Sequence, residues 1–193
     1  MSKLKHSILA LVSAAAICGA TSASAASFEL WNGSAWVNSG SVTFTGPTTA
    51  SYIGNSLPCT ANFSVSVSGG VAVVTGASFT GSSACNGIVA SNFNWGMTPG
   101  AAGGYTGANP PFTGAPTLTG PLSSVSISGI RIFLPAPLNV TCPSTTGSGT
   151  INGVLESSGS GSNRFVFKGA LGPCSVQTQN GGGLSPSTPV RVI

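Results

Sequence analysis

The sequence predicts an all-β protein: a single antiparallel β-sandwich or similar closed β architecture, exported and disulfide-bonded. Three observations predict it. Short runs alternate apolar and polar residues with a period of two, and nothing after the leader holds a convincing 3.6-residue period. Gly and Pro, at 28 and 13 of 193 residues, are too frequent for long helices. Beyond Cys18, which lies in the leader, the cysteines are Cys59, Cys85, Cys142 and Cys174, an even set of the kind that forms disulfides in exported chains.

Residues 1–25 read as a signal peptide. Lys3, Lys5 and His6 make a positive start, residues 8–20 an apolar stretch, and Ala23-Ser24-Ala25 a small-residue cleavage site. The apolar stretch falls short of the roughly 20 apolar residues that span a bilayer. Ile17 precedes Cys18 where a lipoprotein signal wants a small residue, so lipidation is not expected. The Ala-rich leader reads as bacterial, which makes the sequons at Asn32, Asn62 and Asn139 chance. Residues 26–193, 168 in number (193 − 25), form one β-rich domain without an apolar anchor segment. Its expected location is secreted and extracellular, or alternatively periplasmic.

The strands follow in order. Val42-Thr43-Phe44-Thr45 alternates, and Phe63-Ser64-Val65-Ser66-Val67 alternates strictly. Ser68-Gly69-Gly70 then turns the chain into a partner strand at Val71-Ala72-Val73-Val74. Residues 96–124 break the pattern with Gly/Pro-rich loop chemistry. Loops longer than about 12–15 residues are often functional. Trp95, Tyr105 and Phe112 are therefore candidate surface-contact residues, against the alternative that they plug one end of the core. Val125-Ser126-Ile127 leads through Gly129 to a strand at 130–134. Thr150–Leu155 and Arg164–Phe167 form a hairpin across the Ser/Gly run at 157–162. Val190-Arg191-Val192-Ile193 is an apolar end that can pair in its own sheet or in a neighbour's. Four cysteines allow three pairings. Cys59–Cys85 and Cys142–Cys174 are favoured, because each brackets one unit of the form Cys, strand, Gly/Ser turn, strand, Gly, Cys.

Charge is nearly absent. Without the leader the chain holds Glu29, Glu156, Arg131, Arg164, Lys168 and Arg191, a net charge of +2 (four bases minus two acids), with no His and no Asp. General acid–base catalysis, charge relays and most metal sites draw on His, Asp and Glu, so neither an enzyme nor a metal or cofactor site is expected. A glycosidase pair of Glu29 and Glu156 is disfavoured, because the first sits near a terminus and the second beside a turn, where its charge stays in water. Lys168 sits in no S-x-x-K motif, and no Gly-rich run carries a phosphate-loop ending. Four scattered bases make no track for nucleic acid. A surface of Ser, Thr, Asn and Gly repels itself weakly, which favours interfaces or self-association.

Several stretches carry a family resemblance: Gly46-Pro47-Thr48, Leu57-Pro58-Cys59-Thr60-Ala61-Asn62-Phe63, Ala77-Ser78-Phe79-Thr80-Gly81 through Cys85, Thr150-Ile151-Asn152-Gly153, and Leu171-Gly172-Pro173-Cys174-Ser175-Val176. Over residues 40–95 and 138–178 the chain resembles the small exported activators of alkane oxidation of Pseudomonas-like bacteria. The resemblance implies a non-enzymatic accessory protein that promotes hydrocarbon contact or utilisation, and it supplies no catalytic residues. The expected partner is a hydrocarbon or cell-surface interface, or a second copy. The alternatives are a structural subunit of an extracellular fibre or biofilm matrix, or an adhesin using Trp31, Trp36 or Trp95 as a stacking platform.

Overall fold

A computed structural model describes residues 25–157 and 163–193. The expected signal peptide, up to residue 24, and most of the Ser/Gly run, 158–162, lie outside the described residues. The strands are β1 (Phe28–Trp31), β2 (Trp36–Val37), β3 (Gly40–Tyr52), β4 (Asn55–Ser68) and β5 (Val71–Thr80). A one-turn helix α1 (Ser83–Asn86) follows, then β6 (Val89–Ser91), β7 (Trp95–Pro99), β8 (Leu122–Leu134) and β9 (Val140–Cys142). The chain ends with β10 (Gly149–Glu156), β11 (Arg164–Leu171), β12 (Cys174–Thr178), β13 (Ser185–Pro186) and β14 (Val190–Val192).

Eight of these strands close into an antiparallel barrel in the order β10-β11-β12-β3-β4-β5-β7-β8, with β8 pairing back onto β10. The expected sandwich is thus corrected to a barrel, the closed alternative, plus extra strands. The cause lies in β8, whose one edge meets β7 and whose other edge meets β10. Gly129 (φ +87°) is the extra residue in the β8–β10 ladder, between the pairs Ile130↔Gly149 and Ser128↔Thr150. A glycine in this backbone region makes a bulge that bends the strand. It also switches the inward set from Val125 and Ile127 to Ile130, Ile132 and Leu134. Two short patterned runs in the sequence are therefore one curved strand.

The wall alternates as a water-facing barrel should. On β3 and β4, Val42, Phe44, Ala50, Leu57, Val65 and Val67 point inward and are buried. Between them Ser41, Thr45, Thr60, Ser64 and Ser68 face out. Outer hydroxyls and amides pair across strands, as in Thr45–Asn62 (2.6 Å) and Ser126–Asn152 (2.8 Å). Outer-membrane barrels carry the inverse pattern, apolar outside and polar inside. No helix among the described residues is long and apolar enough to cross a membrane.

Both expected disulfides are present. Cys59–Cys85 ties β4 to α1, and Cys142–Cys174 ties the end of β9 to the start of β12. The two Cys-bracketed units therefore play different parts: one pins a helical turn and the other two strands. Ser82 caps α1 by accepting the Cys85 N–H at 3.2 Å.

The tail pairs within its own chain. β14 lies antiparallel to β1 in the order β14-β1-β2, with Phe28↔Val192 and Leu30↔Val190 in register. Phe28, Leu30, Val190 and Val192 are buried in the main core. Glu29, Trp31, Trp36 and Arg191 line the other face. Arg191 Nε donates to Glu29 at 2.7 Å, and its guanidinium sits 4.4 Å from the Trp36 ring centre. Glu29 is thus held in a strand rather than in a loose terminus.

The β3–β4 hairpin turns through Ile53 (φ +45°) and Gly54 (φ +75°), both in the left-handed region that such a two-residue turn requires. A β-branched residue there is strained by about 1–2 kcal/mol, and Ile53 is also 77% exposed. Ile53→Asn is expected to stabilise the protein by about 1 kcal/mol, read as a Tm rise of roughly 2–4 °C. An unchanged or lower Tm would count against strain at this turn.

Candidate functional site

Among the described residues, the barrel wall has a seam closed by neither a ladder nor a disulfide. β5 pairs with β7 only from Ala72 to Val74, and the last bond there is Asn94 N–H to the Val74 carbonyl at 3.2 Å. At that point a bulge puts Thr75 in excess, since Val74 faces Val65 while Gly76 faces Ser64. Beyond it β5 continues on β4 alone. On the far side β8 leaves β7 and takes β6 instead, with Val89↔Phe133 to Ser91↔Arg131. No ladder joins β5 to β6 among the described residues.

Side-chain exposure marks the same place. Phe63, Ala77 and Phe79 belong to the inward-facing set of β4 and β5 yet are only half-buried, while Val65, Val67, Ala72 and Val74 on the same strands are buried. The aromatic rings form a connected string. Phe79 meets Phe63 edge-on at 5.9 Å, Phe63 lies 6.4 Å from Trp95, and Trp95 stacks on Phe93 at 5.2 Å. Phe93 is 37% exposed, held out by the tight turn between β6 and β7. Asn92 (φ +60°) and Asn94 (φ +71°) take the left-handed conformations of that turn, which asparagine tolerates. Phe63, Phe79, Ile88 and Trp95 also line a cavity of about 80 Å³ that runs into the apolar barrel interior.

Trp95 itself is 2% exposed, with its indole N–H donated to the Ser91 carbonyl at 3.0 Å. Its expected place at the surface is corrected: it is the inner end of the string, and Phe93 is the outer one. The misplacement comes from starting the loop one strand too early, since residues 95–99 form β7.

Tyr105 and Phe112 lie on the side of the barrel rather than at its end. Together with Leu118 and Leu122 they cover Val154 and Val166, which form a second, outward-facing apolar cluster on β10 and β11. Asn109 staples this loop to itself, donating to the Leu118 carbonyl at 2.8 Å and accepting the Leu118 N–H at 2.9 Å. Glu156 then anchors it. The Thr119 N–H and hydroxyl both donate to Oε1 at 2.6 Å, and Arg164 Nε donates to Oε2 at 2.9 Å. The expectation that the Glu156 charge stays in water is corrected, because the side chain is fully buried. Burial pushes its carboxyl up, but the bonds from Arg164 and Thr119 and the guanidinium charge outweigh that, so its pKa lies below the usual 4.5.

Trp31 and Trp36 are 5.6 Å apart and half-buried, with Arg191 over the second ring. The two glutamates each bind their own arginine on separate sheets. From the sequence only Phe63 reads as part of an alternating strand, while Ala77 and Phe79 lie beyond the partner strand expected at 71–74. Such an alternating run looks like any half-buried strand, and nothing local shows that the neighbouring strand stops.

A family model described as alkane oxidation protein activator PraA/PraB-like matches residues 1–193, the whole chain. No curated protein and no solved structure matches it.

Proposed function

Because the chain belongs to the alkane oxidation protein activator PraA/PraB-like family, we propose that it is a secreted accessory protein that promotes hydrocarbon contact or utilisation without catalysing a reaction itself. The observation that carries this reading is the seam: a string of aromatic rings leading from an exposed Phe93 into a barrel interior without charge. Exposed Ile53, Val71 and Val89 add apolar points to a surface otherwise made of hydroxyls and amides. With few charges to keep hydrated, such a surface meets an oil–water boundary at low cost. The two disulfides suit an oxidising compartment, outside the cell or in the periplasm.

The tail-donating fibre reading loses support, because β14 already completes its own sheet with Val190 and Val192 buried. The adhesin reading would rest on Trp31 and Trp36, whose exposed ring area Arg191 reduces.

The purified mature protein is expected to lower hexadecane–water interfacial tension and to co-sediment with hexadecane droplets. Phe93→Asp is expected to weaken droplet binding severalfold, because it charges the outermost ring position. Unchanged tension together with protein left wholly in the aqueous phase would overturn the proposal.

A further inference from the structure

We infer that the barrel interior is a binding site for the end of an unbranched, unsubstituted alkyl chain, admitted through the seam between β5 and β6. The inference rests on the hydrocarbon-contact reading and goes on to name the site, the door and the shape of the ligand.

The lining decides the chemistry. Phe44, Val65, Val74, Met97, Ile130 and Leu184 form much of the cavity wall, and no charged residue joins them. Thr48 and Thr49 bring the only hydroxyls, and that of Thr48 is already donated to the Cys59 carbonyl at 3.3 Å. A carboxylate, alcohol or sugar head would enter without hydrogen-bond partners, and water gains too little there to fill the space. Only a chain without polar atoms fits.

Volume decides the shape. The cavity holds about 80 Å³, about half of the 150 Å³ apolar cavity that takes the six carbons of benzene. Two or three carbons therefore fit inside. A ring, or the four carbons of a tert-butyl end, exceeds it, whereas a linear chain can enter by its tip alone. The rest of a longer chain must lie outside the cavity, along Phe63, Phe79 and Phe93, the half-exposed rings at the seam.

Topology supplies the door. Between neighbouring strands of the eight-stranded barrel, separation breaks a hydrogen-bond ladder, and where β9 meets β12 without one the Cys142–Cys174 disulfide holds them. Between the second half of β5 and β6 there is no ladder to break. Phe79 and Phe63, which line the cavity and are only half-buried, are the side chains whose movement would widen the gap there.

Methyl NMR tests this on the mature protein with n-pentane, 2,2-dimethylpropane and 1-pentanol as probes, each below its solubility limit. n-Pentane is expected to shift the Met97, Val74 and Ile130 methyl signals saturably. 2,2-Dimethylpropane should shift none of them, and 1-pentanol should bind no better than the alkane portion allows. Affinity should rise about fourfold per carbon from ethane to propane and less steeply after butane. Ala77→Phe, at a half-exposed wall position, is expected to weaken n-pentane binding at least tenfold. Should that variant misfold, the comparison of linear and branched alkanes on the unaltered protein decides alone. Droplet binding without saturable shifts would overturn the internal site and leave the hydrocarbon-contact reading standing. Failure of both would overturn both, and equal shifts from linear and branched alkanes would refute the narrow cavity.

Discussion

Removing the Cys142–Cys174 bridge by Cys142→Ala/Cys174→Ala is expected to destabilise the protein by about 4 kcal/mol. The bridge closes a separation of 32 residues, and both sulfurs are buried, at 0% and 1% exposure. Without it the unfolded chain regains the freedom of that loop. The connection holds β9 onto β12 across the whole β10–β11 hairpin, so the bridged end of the barrel should loosen first. Alanine is chosen over serine because a hydroxyl at these positions would be buried without an assigned partner. A urea titration with the remaining bridge intact measures the effect, and a Tm loss of roughly 8–15 °C should accompany it. A midpoint that does not move would show that the bridge constrains nothing the folded barrel does not already hold.

Glu156→Gln is expected to cost about 3–4 kcal/mol, near the lower end for breaking a buried ion pair, because Arg164 keeps 28% of its side chain exposed. The amide cannot neutralise the guanidinium, and one of its atoms would present donors to donors on Thr119 or Arg164. The first consequence is local. Loop 100–121 loses its anchor, so hydrogen exchange should quicken at the Thr119 and Leu118 amides and then across the Val154–Val166 cluster it covers. The same contact predicts an acid response of definite sign. The folded carboxyl titrates below its usual 4.5, so its stabilisation is complete above that value. It drains away as pH falls through the lowered folded pKa. Wild-type stability should therefore fall below about pH 4.5, whereas the Glu156→Gln protein should show a shallower acid slope. Equal slopes would remove Glu156 as the source.

Much of this architecture was legible because it is local. Strict alternation at 63–67 and the Gly69-Gly70 turn mark the β4–β5 hairpin, which forms with Ser68↔Val71 in register. Thr150–Leu155 and Arg164–Phe167 likewise form β10–β11, with Leu155↔Phe165 paired. The disulfide pairing follows from the same bracketing. Glu156 and Glu29 were misplaced for one shared reason. A carboxylate beside a turn or a terminus looks solvated until the arginine that meets it is known. Arg164 reaches Glu156 through the hairpin, but Thr119 arrives from 37 residues away and Arg191 meets Glu29 across 162.

The sequence by itself determined a β protein with apolar and hydroxyl faces, two bridges and almost no charge, since period-two patterning and residue chemistry act within a strand or a turn. Only the tertiary structure decided that the sheet closes, that Trp95 turns inward while Phe93 stays out, and that β5 runs past the end of its neighbour to leave a seam. Alternation says which side chains share a face. Which strand lies alongside, and where that pairing stops, depends on register between segments tens of residues apart, as does closure through the β8–β10 ladder, whose bulge at Gly129 bends β8.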